Sequence, residues 1–385
     1  MKTIIYNGQV IIDGDNKINN GFVLFDENEI IEVDSMDNIK GYLENKDINK
    51  VDAKGLWITP GLIDTHNHGG AGYDFVSTNS EEVNIVGKTM IQEGVTGFLA
   101  STTVDNVDEM ANMAKRLGSY KYEDGARCLG IHMEGPFMNI KYRAMMKPEF
   151  LRDASIEEYR NWQKLSNNFV KTLTLAPEVN GCLDLISEIK DEVVVMVGHS
   201  DATVDTVNKA RAAGAKGFTH FYNCMSQHLH RAPGVVSAGF IEDEMYCELI
   251  CDGMHIDKDT IRMTVKTMTP KRLILVTDAM PGKWMDDGKF LFCGYWVIKK
   301  DNKTYREGED RIAGSIKPLN EMARNTLEWC NCTINDIVQM ASVNPTRLLK
   351  EYKKGTLHKG KDADIVVFDY KMNPQHVFVE GIKKL

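Results

Sequence analysis

The sequence predicts an α/β protein: a (β/α)₈ barrel of the TIM type with a small β-sandwich built from both ends of the chain. Three observations carry this expectation. Eight apolar runs, most followed by a helical pattern, fill the middle of the chain. Both ends read instead as short strands and turns. The length of 385 residues suits a barrel plus a satellite domain.

At the start, TIIYNG, QVIID, GFVLFDEN and IIEVDS are strand-like, separated by turn signals at Asp13-Gly14 and Asn19-Asn20-Gly21. GKDADIVVFDYKMNPQHVFVEG at the end has the same character. Residues 1–56 and 357–385 are therefore assigned to one small β domain, and 57–356 to the barrel. The eight runs are ITPGLID (58–64), GFLAST (97–102), RCLGIHM (127–133), KTLTLAP (171–177), EVVVMVG (192–198), AKGFT (215–219), MYCELIC (245–251) and RLILVT (272–277). Runs apolar on both faces and alternating with helices belong to a parallel sheet covered on both sides.

The residues at the C-terminal ends of these runs are informative. The first run leads into His66-Asn67-His68, the third ends at Glu134, the fifth at His199 and the sixth at His220. The seventh leads to Asp252 and His255, and the eighth to Asp278. In a barrel these strand ends open onto one face, the face that holds active sites. His66 and His68 have the period of a strand, so both point to one side, as two ligands of one ion would. Imidazole with carboxylate suits Zn²⁺ or Fe²⁺ first, with Mn²⁺ or Co²⁺ as alternatives, rather than Ca²⁺. Asp278 is placed to take a proton from an ion-activated water and hand it to a leaving amine; a helix N-cap is its blander reading. His132 should point away from Glu134 and is read as structural, as are His228, His230, His358 and His376.

The remaining features mostly exclude. A net charge of −9 argues against a nucleic-acid surface. No stretch is apolar for long enough to span a bilayer, and the N-terminus lacks the pattern of a signal peptide. The eight cysteines match no metal-finger or disulfide framework, so reduced thiols in a cytoplasmic protein are expected.

PGLIDTHNHGG, HMEGPF, GHSDAT, THFYNCMSQHLHRAPG, CDGMHI, LVTDAM and IAGS stand in the order found in the N-acetylglucosamine-6-phosphate deacetylases of the amidohydrolase superfamily. The chain resembles that family from about residue 60 to 315, and GKDADIVVFD resembles its closing strand motif. The resemblance implies a metal-dependent hydrolase that removes the acetyl group from an amino sugar phosphate and works as a homodimer. It implies a catalytic metal on Glu134, His199 and His220, with His66 and His68 resembling ligands of a second ion, so that one or two ions are expected. It makes Asp278 the general base and acid. His255 becomes a substrate-binding residue that polarises the acetyl carbonyl. Asn223, the Cys224 backbone and Arg231 are implied to hold the sugar phosphate, with Arg231 placed in one version across a subunit boundary. Ile312, Ala313, Gly314 and Ser315 are implied to line the pocket.

The stretch after EGPF departs from the family. Members carry KKGA followed by His or Gln, whereas this chain reads Lys141-Tyr142-Arg143-Ala144-Met145-Met146-Lys147. Met145 and Met146 cannot donate the hydrogen bond of His or Gln, which leaves a galactosamine isomer or another N-acyl compound as alternative substrates. Two rival readings exist: a deaminase or cyclic-amide hydrolase on the same barrel, and a catalytically inactive scaffold. The first often uses a carboxylated lysine where Glu134 stands. The second typically loses metal ligands that this chain retains.

Overall fold

A computed structural model of the chain describes residues 2–39, 41–309 and 312–385. Its central sheet has eight parallel strands: Leu62–Asn67, Val95–Ser101, Arg127–Glu134, Val170–Leu175, Val194–Val197, Gly217–Phe218, Tyr246–Leu249 and Leu273–Leu275. They are hydrogen-bonded in strict chain order, and each predicted run overlaps one of them. Between them run the helices Ser80–Met90, Val107–Gly118, Ile156–Leu165, Cys182–Ile189, Val204–Ala213, Val235–Ile241 and Lys258–Met268, and Leu319–Cys330 follows the eighth strand. Five of these eight helices start where a side-chain oxygen of Asn79, Asn106, Ser155, Thr203 or Asp257 accepts a backbone N–H of the first turn. The strand interiors are buried on both faces, and one continuous apolar cluster joins them to the helices.

The ring closes between the eighth strand and the first, and it does so at the site end. The Asp278 N–H donates to the His66 carbonyl at 2.8 Å, and the His68 N–H to the Ala279 carbonyl at 2.8 Å. Just below, Thr277 Oγ1 donates to Asp64 Oδ2 at 2.6 Å. Between the eighth strand and its helix the chain inserts a three-stranded antiparallel sheet, Gly288–Phe292, Tyr295–Lys300 and Lys303–Arg306.

The terminal segments meet as expected, in one eight-stranded sheet; Met1 and Lys40 lie outside the described residues. Phe25 and Phe378 stand four strands apart in that sheet, yet their ring centroids are 5.3 Å apart. A flat sheet would separate them by about 19 Å, so the sheet folds back on itself around a core that includes Ile5, Val23, Ile58 and Ile365. One boundary needs correction. Trp57–Pro60, read as the opening of the barrel, pairs with Ile365–Phe368 and with Gln9 and Val10 of the terminal sheet. The first apolar run thus serves two sheets, and Gly61 is the joint.

Candidate active site and metal centre

Each ligand candidate stands where a barrel strand gives out. At three of these points the backbone is forced into the left-handed region: His199 has φ of 51°, His220 of 33° and Asp278 of 47°. Non-glycine residues avoid this conformation, and it gathers where function imposes strain. Here it swings the side chains toward the barrel axis. In the first strand the pairing slips between Asp64 and Asn67, and both His66 and His68 turn inward, their Nε2 atoms 3.2 Å apart.

Two triads result, His66–His68–Glu134 and Glu134–His199–His220, all buried. Glu134 joins them. Its Oε1 lies 3.2 Å from His199 Nε2 and 3.0 Å from His220 Nε2, and its Oε2 lies 3.3 Å from His68 Nε2. The nitrogens of His199 and His220 are 3.1 Å apart. Ligand atoms on a tetrahedral ion with bonds of about 2.0–2.1 Å are separated by about 3.3 Å, so these spacings fit a small divalent cation. Two of the opposite ring nitrogens are anchored: His199 Nδ1 donates to the Tyr142 carbonyl at 2.7 Å, and His66 Nδ1 to Glu248 Oε2 at 3.0 Å. That fixes the tautomer leaving each Nε2 lone pair free for a metal.

The charges point the same way. Burial alone would lower the His68 pKa, but hydrogen bonds to Asp278 and Glu134 push it up to about 10. His199 is likewise held well above its ordinary range despite burial, with Cys224 and Glu134 responsible. Burial would raise Glu134, yet bonds from His199, His220 and His68 hold it well below the usual carboxylate range. A potential that would protonate bare imidazoles is one that attracts a cation.

Asp278 closes the group, with Oδ1 3.3 Å from His68 Nε2 and 3.5 Å from His66 Nε2. His255 is held by Asp252, whose Oδ2 accepts from Nδ1 at 2.7 Å. Burial works against the charged ring, but Asp252 outweighs it and raises the His255 pKa. A cavity of about 570 Å³ opens above the triads. His68, Glu134, His199, His220, His255 and Asp278 line it, with Asn223, Cys224, Met145, Met146, Ile312 and Gly314.

Three expected contacts are not there. Ala313 and Ser315 are buried behind the wall, while Ile312 and Gly314, where the chain turns with φ of 62°, take the cavity side. Ser315 instead supports Asp278, its N–H donating to the Asp278 carbonyl at 3.0 Å. Arg231 is exposed on the loop after the sixth strand, outside the cavity wall. The wall also holds Met254, which lies in CDGMHI with no role expected of it, and two residues that no sequence motif marks, Phe292 and Cys293 from the tip of the inserted sheet. The Phe292 ring lies 5.6 Å from that of His68. His132 stays out of the cavity, between Ser101 Oγ at 2.9 Å and Thr174 Oγ1 at 2.7 Å.

Residues 57–383 match the amidohydrolase family. This chain belongs to that family. Among similar amidohydrolases, the N-acetylglucosamine-6-phosphate deacetylase of Bacillus subtilis is 34% identical over 317 residues, covering 80% of each chain. That of Vibrio furnissii is 31% identical over 380 residues, 98% of this chain and 94% of its own. The N-acetylgalactosamine-6-phosphate deacetylase of Escherichia coli O157:H7 is 31% identical over 328 residues, 84% and 86% of the two chains. The N-acetyl-D-glucosamine-6-phosphate deacetylase of Mycobacterium smegmatis, solved with N-acetyl-D-glucosamine-6-phosphate, superimposes with a TM-score of 0.91 at 26% identity. It covers 100% of this chain and 99% of its own. Family and site agree that the chain is a metal-dependent hydrolytic enzyme.

Proposed function

We propose that the protein hydrolyses the acetyl amide of N-acetylglucosamine-6-phosphate to glucosamine-6-phosphate and acetate. The observation that carries this reading is the meeting of both ligand triads, Asp278 and His255 in one cavity. The deacetylases among the relatives supply the substrate class. Glu134, His199 and His220 would hold a divalent ion, and the chemistry it would supply when bound is Lewis acidity toward the amide carbonyl and a lower pKa for water. His66, His68 and Glu134 would hold a second. Zn²⁺ or Fe²⁺ suits this donor set, with Mn²⁺ or Co²⁺ behind.

The chain's own residues carry the proton. Asp278 accepts it from the attacking water and passes it to the nitrogen, so the C–N bond breaks to a neutral amine. His255, charged through Asp252, donates from Nε2 to the carbonyl oxygen as negative charge builds there. Asn223 and the backbone at Cys224 receive the sugar phosphate, with Ile312 and Gly314 as one wall. The protein works as a homodimer in which Arg231 reaches the phosphate across the subunit boundary. The phosphorylated substrate and the eight free cysteines support a cytoplasmic enzyme, and the same reading divides the chain into a terminal β domain and a catalytic barrel. A second reading, the galactosamine isomer, is favoured by the apolar Met145 and Met146 and by relatives named N-acetylgalactosamine-6-phosphate deacetylases.

Acetate release should be followed from N-acetylglucosamine-6-phosphate, its galactosamine isomer and the unphosphorylated sugar. Acetate from the first, with kcat lowered about 10²–10⁴-fold in Asp278→Asn at unchanged metal content, is the expected outcome. Metal bound without acetate from any of the three would sink the proposal.

A further inference from the structure

The seventh strand, Tyr246–Leu249, places a glutamate where a barrel strand should be apolar. Glu248 is 1% exposed, and no lysine or arginine pairs with it among the described residues. A buried carboxylate so placed is stable only if its lone pairs are met and positive charge is near. The lone pairs are met in a telling way. Oε2 accepts from His66 Nδ1 at 3.0 Å and from the His220 backbone N–H at 3.2 Å, while Oε1 accepts from Thr65 Oγ1 at 3.2 Å. One carboxylate therefore grips a ring of the first triad and the strained main chain of the second. It lies on the far side of the His66 ring from the ion position, because the Nδ1 it holds is opposite the Nε2 that faces His68 and Glu134.

We propose that Glu248 is the positioning residue that builds the second ion site. Its carboxylate fixes His66 with the proton on Nδ1 and the Nε2 lone pair toward the ion. Its negative charge, relayed through the ring, makes that nitrogen a stronger donor. His68 has no such support, since its Nδ1 is buried without a partner. The His66–His68–Glu134 position therefore depends on Glu248. The Glu134–His199–His220 position depends on it less, because the Tyr142 carbonyl orients His199, and Glu248 touches His220, whose own Nδ1 is also buried without a partner, only through the backbone N–H. Occupancy of the second position becomes a property of the seventh strand, not of the His-x-His pair alone. The inference rests on the two-ion reading above.

The test is a metal count on the full chain, which needs no substrate. Wild type, Glu248→Gln and Glu248→Ala are loaded with Co²⁺ and dialysed. Bound Co²⁺ per chain is measured, together with affinities by chelator competition and the visible spectrum. Gln has the shape of Glu and keeps an acceptor for His66, so it carries the test if Ala does not fold. Two ions in wild type, and in the variants one ion retained at wild-type affinity with the other weakened about 10–100-fold, is the expected result. Two ions held equally well by wild type and folded Glu248→Gln would overturn the Glu248 assignment and leave the two-ion reading intact. Equal weakening of both ions would show general support of the site and overturn it too. A single ion in wild type would remove the two-ion reading, and this inference with it.

Discussion

His132 lies one residue before Met133-Glu134 and its ring packs 4.5 Å from that of His66, yet both its nitrogens are used up by Ser101 and Thr174. Burial first, then the neighbouring His66, hold its pKa well below the ordinary range, so it stays neutral under the metal centre. His132→Ala should therefore lower stability by about 2–4 kcal/mol, through a cavity and the loss of two buried hydrogen bonds. Metal content should stay at the wild-type value; thermal unfolding and metal analysis on one sample check both. The ligand residues were legible because each follows an apolar run, where a polar side chain needs a reason. Glu248 carried an equally plain signal, a carboxylate in the middle of MYCELIC, which no one motif covers. Arg231 follows Asn223 in the same loop, but the loop carries it out to the surface, away from the cavity of its own chain.

Among the elements, the terminal sheet is fastened to the barrel by a charge cluster. Lys354 Nζ lies 2.7 Å from Asp364, 2.9 Å from Asp362 and 3.5 Å from Glu380, and Glu380 also pairs with Arg127 at 2.6 Å. Burial would lower the Lys354 pKa, but Asp364 and Asp362 raise it. Removing the lysine leaves Asp364 buried and unpaired, so Lys354→Met should destabilise by about 3–5 kcal/mol at neutral pH. Because the folded pKa is raised, the lysine's contribution is complete below the unfolded value of about 10.4 and is lost as pH climbs beyond it. The gap between wild type and variant, read from denaturant midpoints across alkaline pH, should narrow there. A constant gap would mean that the lysine acts by packing alone. The eight runs located the barrel strands because burial on both faces leaves an unbroken apolar signature. Two things escaped. The run at 58–64 hid a change of sheet, since a strand's pattern does not say which partner it has. The insertion at 288–306 lies outside the barrel's rhythm, and its first turn, Cys293-Gly294, lacks the usual Asn-Gly or Asp-Gly marker.

At the level of the whole molecule, the cavity wall contains Lys141, itself paired with Asp201 at 2.9 Å, while Arg231 stands outside. A phosphate would be better held if a second copy brought its own arginine. Mixing two inactive proteins, Arg231→Ala and Asp278→Asn, should then restore about a quarter of wild-type activity, since half the dimers are mixed and each mixed dimer has one complete site. No recovery, or a monomer in sedimentation at assay concentration, would place the arginine's effect within its own chain or remove it. Finally, the seam of the ring divides the catalytic parts unequally. All five candidate ion ligands come from the first six strands, which are laddered edge to edge without a break. Asp278 comes from the eighth, which is laddered to them on one side through the seventh and crosses the seam to the first by only a few hydrogen bonds, to His66, His68 and Asp64. If the barrel breathes at that joint, the ion holder stays whole while the proton carrier swings away. Molecules caught in the opened form would still take up metal and would turn over nothing.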